Sequence, residues 1–299
     1  MKRLKVFCAT DENFLQMTHV MLASLLANSR ASVSAIHVFG WRLPAKGVLA
    51  LEDLDRDLVR VHDFQDLPAA LEPLRFRIID MVPTWMRLVA PDLIAADAEN
   101  LLYIDGDCVV DRDIAALAAV DLGGAPFGAV ANFSKTKHPR WLERLGLPAD
   151  TPYFNAGVML FDHRLYREGG WSRRAIDLTL SIPDRLKLHD QDTLNTVVEG
   201  RWVELPSSYN AHASFETTRH GDGGEIFDGA HIIHYVGKSK PTDADCRHVA
   251  KDAFLRYRAA TPWRDVPLRS APCREISDHV RMGIGKVKRF LAGRGYRVR

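Results

Sequence analysis

The chain has 299 residues, of which 46% are hydrophobic and 26% charged, as in a globular protein large enough for one big domain or two smaller ones. The net charge of +2 hides an asymmetry: residues 274–299 carry eight Lys or Arg against two acidic residues, and the remainder carries 32 basic against 36 acidic. This distribution indicates an anionic partner for the tail alone. Without a recognition motif beside the basic tail, we expect no nucleic-acid binding.

The sequence also limits where the protein can reside. No stretch approaches the ~18 uninterrupted apolar residues that a membrane span needs. The acidic pair at 11–12 arrives before the apolar core of a signal peptide could form. The cysteines lack CxxC spacing, which favours free thiols in a reducing compartment; they are Cys8, Cys108, Cys246 and Cys273. We therefore expect a cytoplasmic protein.

The first third of the chain alternates predicted strands with predicted helices. Strands are predicted at 4–8, 33–39 and 58–64, and helices around 17–25 and at 47–54. This alternation predicts a parallel sheet with right-handed crossovers. Residues 73–83 are expected to be irregular and 84–94 helical. Arg87 lies among apolar residues of that helix and requires an anion, either a structural carboxylate or a ligand phosphate.

The stretch 101–110 places two carboxylates at the end of an apolar run. Residues 101–104 predict a buried strand, and Asp105-Gly106-Asp107 follows directly. Ligands of open α/β sheets bind at the carboxyl ends of strands. Two aspartates separated by one glycine can share a hard divalent cation, which usually binds a diphosphate. A turn with two solvated aspartates explains the tripeptide equally well.

The remaining elements are predicted in the same way. After a helix at 113–120, a strand at 126–133 leads into a polar insertion or lid at 134–150. The next strand, at 152–162, contains small residues at 156 and 157 that allow close approach of a ligand to the backbone. Helices are then predicted at 171–182 and from residue 190, with Asp190 as cap, and the last strands at 201–205 and 231–236.

Five short motifs lie at the ends of these strands or the starts of these helices. They are Ala-Thr-Asp-x-Asn at 9–13, Asp-Gly-Asp at 105–107, Phe-Asn-Ala-Gly-Val at 154–158, Asp-Gln-Asp-x-Leu-Asn at 190–195 and His-Tyr-x-Gly-x-x-Lys-Pro at 234–241. In this order they resemble the family-8 glycosyltransferases, which include glycogenin and the bacterial lipooligosaccharide galactosyltransferases. The similarity covers roughly residues 4–241.

This resemblance implies an α/β protein with the GT-A fold, a Rossmann-like, mostly parallel sheet flanked by helices. Residues 1–241 would form the catalytic domain and 242–299 a small C-terminal helical extension. The implied activity is retaining transfer of a hexose, galactose or glucose, from a UDP-sugar to a glycan or lipid-linked saccharide in lipopolysaccharide biosynthesis.

The resemblance also implies a set of site residues. Asp105, Asp107 and His234 would hold Mn²⁺, with Mg²⁺ as the alternative; oxygen ligands plus one imidazole suit Mn²⁺. The implied donor-binding residues are Ala9, Asp11, Asn13, Arg87, Asp105, Gly106, Asn155, Ala156, Gly237 and Lys240. Asp11 has an alternative role as a cap for the helix that follows it.

Catalysis is assigned to Asp190 and Gln191 on the same resemblance. Asp190 is the available nucleophile for a double displacement, whereas Gln191 could stabilise positive charge on the sugar ring during same-face attack. We favour same-face attack. Asn132 stands where the bacterial galactosyltransferases have an acceptor-contacting aspartate, so it is the predicted acceptor contact.

The tail has its own predicted partner. Residues 280–291 interleave apolar with basic side chains, which is typical of a helix that lies on an anionic membrane surface. Similar basic C-termini in the bacterial relatives imply attachment to the cytoplasmic face of the inner membrane. A frayed, solvated tail is the alternative.

Two rival functions fit part of the sequence. Asp-Gly-Asp also resembles the loop of haloacid-dehalogenase-type phosphatases, in which Asp105 would be the nucleophile. In those enzymes the loop follows the first strand of the domain, whereas some 100 residues precede it here. A non-catalytic protein that only binds a sugar nucleotide is the second rival.

Overall fold

The computed structural model describes residues 2–95, 100–132, 139–213 and 224–270. Part of the predicted lid, Cys273 and the predicted tail helix lie outside these ranges. None of the helices in the described ranges has both the length and the apolar character needed to cross a membrane.

The centre of the molecule is a seven-stranded mixed sheet in the order β3-β2-β1-β4-β7-β6-β8. Its strands are β1 (Leu4–Asp11), β2 (Val33–Trp41), β3 (Val59–Phe64), β4 (Leu101–Ile104), β6 (Phe127–Ala131), β7 (Phe154–Phe161) and β8 (Val203–Glu204). The pairs β1/β2, β2/β3, β1/β4 and β6/β8 are parallel. Only β7 runs against its neighbours β4 and β6 within this sheet. The mostly parallel sheet predicted from the alternation is therefore confirmed.

A second, two-stranded sheet leaves the main one directly after the Asp-Gly-Asp tripeptide. It pairs β5 (Cys108–Val110) antiparallel with β9 (Ile232–His234). In this register Cys108 faces His234. The short ribbon thus brings the first aspartate motif and the late histidine to the same place.

Helices cover both faces of the main sheet. They are α1 (Leu15–Ser29), α2 (Ala45–Glu52), α3 (Arg75–Ile78), α4 (Val82–Leu93), α5 (Pro139–Leu145), α6 (His163–Glu168), α7 (Trp171–Ser181), α8 (His189–Val198), α9 (Gly224–Phe227) and α10 (Lys251–Arg258). Two apolar cores result, one on each side of the sheet, and the apolar run 101–104 contributes alternate residues to both.

Three local predictions were wrong. The segment 73–83 is not irregular, because α3 lies within it and Pro83, in the first turn of α4, pre-sets the backbone angle of a helix start. The predicted helix at 113–120 is a short 3₁₀ helix at Ala115–Ala119, since Val120 is already extended. Asp190 does not cap α8; it lies inside the first turn, after Leu188 in the cap position.

Residues beyond 241 pack against the same body. Phe254 of α10 is buried in a cluster with Met17, Val20, Val109 and Tyr235. The Tyr257 hydroxyl donates to Asp111 and accepts from Asn28 of α1. The described cysteines, Cys8, Cys108 and Cys246, are buried free thiols, as predicted for them.

Candidate active site

A cavity of about 550 Å³ opens at the carboxyl ends of β1, β2 and β4. This is the edge at which ligands of open α/β sheets bind. Seven of the predicted site residues line it: Ala9, Asp11, Asn13, Arg87, Asp105, Gly106 and Asp107. Asp11 also accepts hydrogen bonds from the backbone of Asn13 and Phe14, which fix the turn before α1. The alternative role of Asp11 as a cap was wrong, because Phe14 takes the cap position of α1 and no side chain caps it.

Asp105 is held in place by neighbours on two elements. The Arg87 guanidinium lies 2.9 Å from Oδ1 and 3.3 Å from Oδ2, and the Tyr103 hydroxyl donates to Oδ1 at 2.6 Å. Arg87 also lies 4.6 Å over the Tyr103 ring and donates to the carbonyl of Ala156. The anion that Arg87 required is therefore a structural carboxylate.

A second carboxylate shares Arg87. Asp190 Oδ2 lies 2.8 Å from Arg87 Nε, whose hydrogen is directed at the carbonyl of Thr84, so the contact is an ion pair without hydrogen-bond geometry. Burial would lower the pKa of Arg87, but the carboxylates of Asp105 and Asp190 raise it. Burial raises the pKa of Asp190 to about 7, against the opposing charge of Arg87.

This shift predicts a pH dependence of stability that Asp190→Asn removes. The pKa of Asp190 is about 7 in the fold, against an ordinary value of 3.8, so between pH 5 and 7 the folded state holds a proton that the unfolded state has lost. The resulting stabilisation is complete below pH 4 and is lost as the pH rises through 7, at up to about 1.4 kcal/mol per pH unit. We expect the wild-type free energy of unfolding in urea to fall across this window relative to Asp190→Asn. Parallel pH curves for the two proteins would contradict this assignment.

Asp107 and His234 lie together on the other side of Gly106. His234 Nε2 is 3.3 Å from Asp107 Oδ1 and 3.9 Å from Asp105 Oδ2. Lys240 Nζ donates to Asp107 Oδ2 at 2.5 Å and to the carbonyl of Tyr235 at 2.6 Å. Burial alone would raise the pKa of Asp107, but Lys240 and His234 outweigh it and hold that pKa far below its usual range. Asp107 is thus an anion at any ordinary pH.

These side chains fit a divalent cation. Ligand atoms of Asp107, Cys108 and His234 lie within 4.8 Å of one another. Burial raises the pKa of the Cys108 thiol well above its usual value, so this residue stays a poor ligand, and the second oxygen donor at the site is Asp105. Two carboxylates facing one imidazole nitrogen make an oxygen-rich donor set that suits Mn²⁺ or Mg²⁺ better than soft metals.

Gln191 is fixed by two hydrogen bonds. Its Oε1 accepts from the backbone of Ala156, and its Nε2 donates to the Tyr153 hydroxyl, which in turn donates to the fully buried Asp192. Asp192 also accepts from Trp141 and Arg144 of α5. The segment predicted as a lid is therefore tied, over its described part, to the helix that carries Asp190 and Gln191.

The other predicted residues lie nearby with different surroundings. Gly237 has φ +93°, which favours glycine, and turns the chain between His234 and Lys240. Asn132 follows β6, is buried, and bonds through its backbone N–H to the carbonyl of Tyr153. The small residue at 157 was expected to admit a ligand; instead the His234 ring occupies the space that a Cβ would need.

Comparison with known proteins agrees with this geometry. The family model described as glycosyl transferase family 8 matches residues 5–245. The chain belongs to glycosyl transferase family 8. The recognition from motifs is confirmed.

Two bacterial proteins and one solved structure illustrate what this family 8 chain is similar to. General stress protein A of Bacillus subtilis is 29% identical over 61% of this chain, which spans 66% of that protein's length. The lipopolysaccharide 1,2-glucosyltransferase of Escherichia coli is 26% identical over 87% of this chain and 79% of its own. The galactosyltransferase LgtC, solved in complex with donor and acceptor sugar analogues, has a TM-score of 0.71 at 23% identity over 87% of this chain and 99% of that one. The predicted GT-A fold is thereby confirmed.

Besides Tyr103, two aromatic residues of this family 8 chain line the described cavity but were not predicted as site residues. Phe14 is 38% exposed and follows the first motif directly, and Trp41 ends β2 with the Arg42 guanidinium 4.5 Å over its ring. The signal for Phe14 was available, because an aromatic residue next to a polar strand end offers a flat face to a planar ligand. Trp41 lies in a motif-free region and gave no such signal.

Proposed function

We propose that this family 8 glycosyltransferase transfers a hexose, galactose or glucose, from a UDP-sugar to a saccharide or lipid-linked saccharide, with retention of configuration and with Mn²⁺ or Mg²⁺. The observation that carries the proposal is the convergence of Asp105, Asp107, His234 and Lys240, of which the two aspartates line the cavity. These groups combine ligands for a cation with a positive charge for a diphosphate.

The described residues suggest how each group acts. Asp105, Asp107 and His234 would hold the divalent cation, which would supply positive charge to the diphosphate as the bond to the sugar breaks. Lys240, on the glycine turn at 237, adds a second charge to the leaving phosphate. Ala9, Asp11 and Asn13 line the part of the cavity proposed for uracil and ribose, with Phe14 beside them.

The sugar pocket is proposed around Arg87, Asn155, Ala156, Asp190 and Gln191. Asp190 lies 2.8 Å from Arg87, but burial raises its pKa to about 7, so at neutral pH it is only partly ionised and is a poor nucleophile. Gln191 is neutral and held by two hydrogen bonds. These contacts support same-face attack over a double displacement, with the departing phosphate oxygen accepting the acceptor's proton. Asn132 is the proposed acceptor contact.

The acceptor class is proposed from the relatives. One is named a lipopolysaccharide 1,2-glucosyltransferase and another a lipopolysaccharide 1,3-galactosyltransferase. We propose residues 1–241 as the catalytic unit and a cytoplasmic location where lipid-linked saccharides are made.

The phosphatase rival finds no support in the site. Both oxygens of Asp105 are engaged by Arg87, and Tyr103 adds a third bond, so this carboxylate is not presented as a nucleophile. Calorimetry with UDP and Mn²⁺, followed by UDP release across a panel of UDP-sugars, tests the proposal. Binding of UDP without turnover in the presence of saccharide acceptors would favour the non-catalytic rival, and phosphate release from monoesters without UDP would favour the phosphatase.

For the tail we predict separable membrane binding. Deleting the residues after Pro272 removes eight basic side chains and is expected to release the protein from anionic liposomes, since each basic residue near such a surface contributes about 1 kcal/mol. UDP-sugar hydrolysis is expected to persist. Co-sedimentation with phosphatidylserine vesicles checks this prediction, with neutral vesicles as control. If the truncated protein sediments with these vesicles as the full chain does, the prediction of membrane binding by the tail is wrong.

A further inference from the structure

Behind His234 lies a chain of three buried hydrogen bonds that no motif pointed to. The backbone N–H of Gly157 donates to Asn155 Oδ1 at 2.9 Å, and Asn210 Nδ2 donates to the same oxygen at 2.9 Å. Asn210 Oδ1 lies 2.9 Å from His234 Nδ1. Asn155 is 7%, Asn210 1% and His234 4% exposed, so water does not compete for these bonds.

The backbone N–H at the start fixes the direction of every bond in the chain. A backbone nitrogen can only donate, so the Asn155 atom facing Gly157 must be its oxygen. The Asn210 atom facing that oxygen must then be its amino group, because two oxygens at 2.9 Å would repel. The oxygen of Asn210 is consequently the atom turned to His234, and it can only accept. His234 must therefore carry its proton on Nδ1.

This tautomer decides what the opposite nitrogen can do. In a neutral imidazole with Nδ1 protonated, Nε2 bears a lone pair. Nε2 lies 3.3 Å from Asp107 Oδ1 and 3.9 Å from Asp105 Oδ2. An ionised carboxylate has no hydrogen, so neither aspartate can donate a hydrogen bond to this lone pair. These three atoms converge on one point and therefore need positive charge there, which either a second proton on the ring or a divalent cation can supply.

We propose that Asn210 is a positioning residue that holds His234 with its proton on Nδ1 and its bare Nε2 aimed at a divalent cation shared with Asp105 and Asp107. The inference rests on the metal site of the proposed function and adds a residue outside the ligand set. Outer-shell acceptors that bind the second nitrogen of a ligating histidine fix its orientation and raise its basicity.

Gly157 fixes the ring from its other side. A Cβ at this position would lie 2.2 Å from His234 Cε1 and 2.5 Å from Nδ1. The antiparallel pairing of Cys108 with His234 fixes the backbone of the same residue. Because the ring packs against Gly157 and bonds to Asn210, a ring flip that exchanges the two nitrogens would form no additional hydrogen bond.

The tautomer can be observed without any metal. Long-range ¹H–¹⁵N correlation spectra of the histidine-labelled wild-type chain, recorded as a pH series, distinguish the two neutral tautomers from each other and from the doubly protonated ring. His234→Gln identifies the signal. We expect Nδ1 to be protonated and Nε2 bare; the reverse assignment in the metal-free wild type would overturn the proposal, whatever the variants do.

Mn²⁺ affinity then tests the consequence, measured by electron paramagnetic resonance of free Mn²⁺ with and without UDP. Asn210→Leu keeps the volume but removes the acceptor, and we expect affinity to fall about 10- to 100-fold. Asn210→Asp keeps an acceptor for Nδ1–H but turns an oxygen towards Asn155 Oδ1, so we expect affinity to fall, though by clearly less than in Asn210→Leu. Asn28→Leu is the matched control, because Asn28 bonds to Val110 of the same ribbon and does not touch His234.

The outcomes separate this inference from the function on which it rests. Asn210→Asp adds a buried charge, so a merely structural role would make it at least as damaging as Asn210→Leu; equal losses in the two variants would overturn the proposal. Wild-type affinity in Asn210→Leu would overturn it as well. A wild-type chain that binds no Mn²⁺ would refute the metal-dependent function, and the tautomer spectrum would then decide the role of Asn210 by itself.

Discussion

Replacing Asp107 by asparagine is expected to lower UDP-sugar turnover by about 10³-fold or more, because cation stabilisation of a leaving phosphate contributes several kcal/mol. The substitution keeps the shape but removes the charge that faces both His234 and Lys240. Mn²⁺ binding by the wild type and the variant, measured beside UDP release, shows whether the loss of turnover follows the loss of metal.

Asp111→Asn is the matched control for this variant. Asp111 follows the same two-stranded ribbon, but it pairs with Arg256 and Tyr257, outside the cavity. We expect its metal binding and turnover to match those of the wild type. If Asp107→Asn binds the metal as tightly as the wild type does, Asp107 is not a ligand and the proposed metal site is refuted.

The second large effect is on stability. Arg87→Met leaves the carboxylates of Asp105 and Asp190 close together without their shared cation, and breaking a buried ion pair in this way costs about 3–5 kcal/mol. We expect the free energy of unfolding in urea at pH 7 to fall by that amount. The deficit should shrink as the pH is lowered, because protonation removes the charge that lacks a partner.

Two further variants sharpen this prediction. Without Arg87 the pKa of Asp190 rises above 7, so this carboxyl is already neutral at pH 7. Arg87→Met combined with Asp190→Asn should therefore resemble Arg87→Met at pH 7 and should lack the further loss that Arg87→Met shows above pH 7. Arg173→Met removes an exposed pair with Asp177 and should leave the stability unchanged. A loss in Arg87→Met as small as in Arg173→Met would show that Arg87 is not needed to neutralise the site.

Features that depend on local sequence were predictable. The apolar run at 101–104, followed by two aspartates, identified β4 and placed Asp105 at the correct edge of the sheet. Both the buried strand and the polar group at its end could be recognised from neighbouring residues in the sequence. The need of Arg87 for an anion was visible from its apolar neighbours. Which anion it meets was not, since Asp190 approaches from a helix about a hundred residues away.

Features that depend on contacts between residues far apart in the sequence could not be predicted. Asn210 lies in no recognisable motif, and its proposed positioning role depends on the fold placing it between Asn155 and His234. Gly157 was noticed as small, but the group that fills its missing side chain comes from β9. The cap assigned to Asp190 failed because tertiary contact with Arg87 determined where that side chain points.

The ribbon of β5 and β9 has a consequence for the order in which the protein matures. Its two strands lie more than 120 residues apart in the chain, and loop closure over that length is slow. A nascent chain that has emerged only as far as β7 already holds Asp105 and Asp107 but has no His234 to complete the ligand set. The proposed cation site is therefore complete only once β9 has paired with β5, and the appearance of cation binding during refolding would time that pairing.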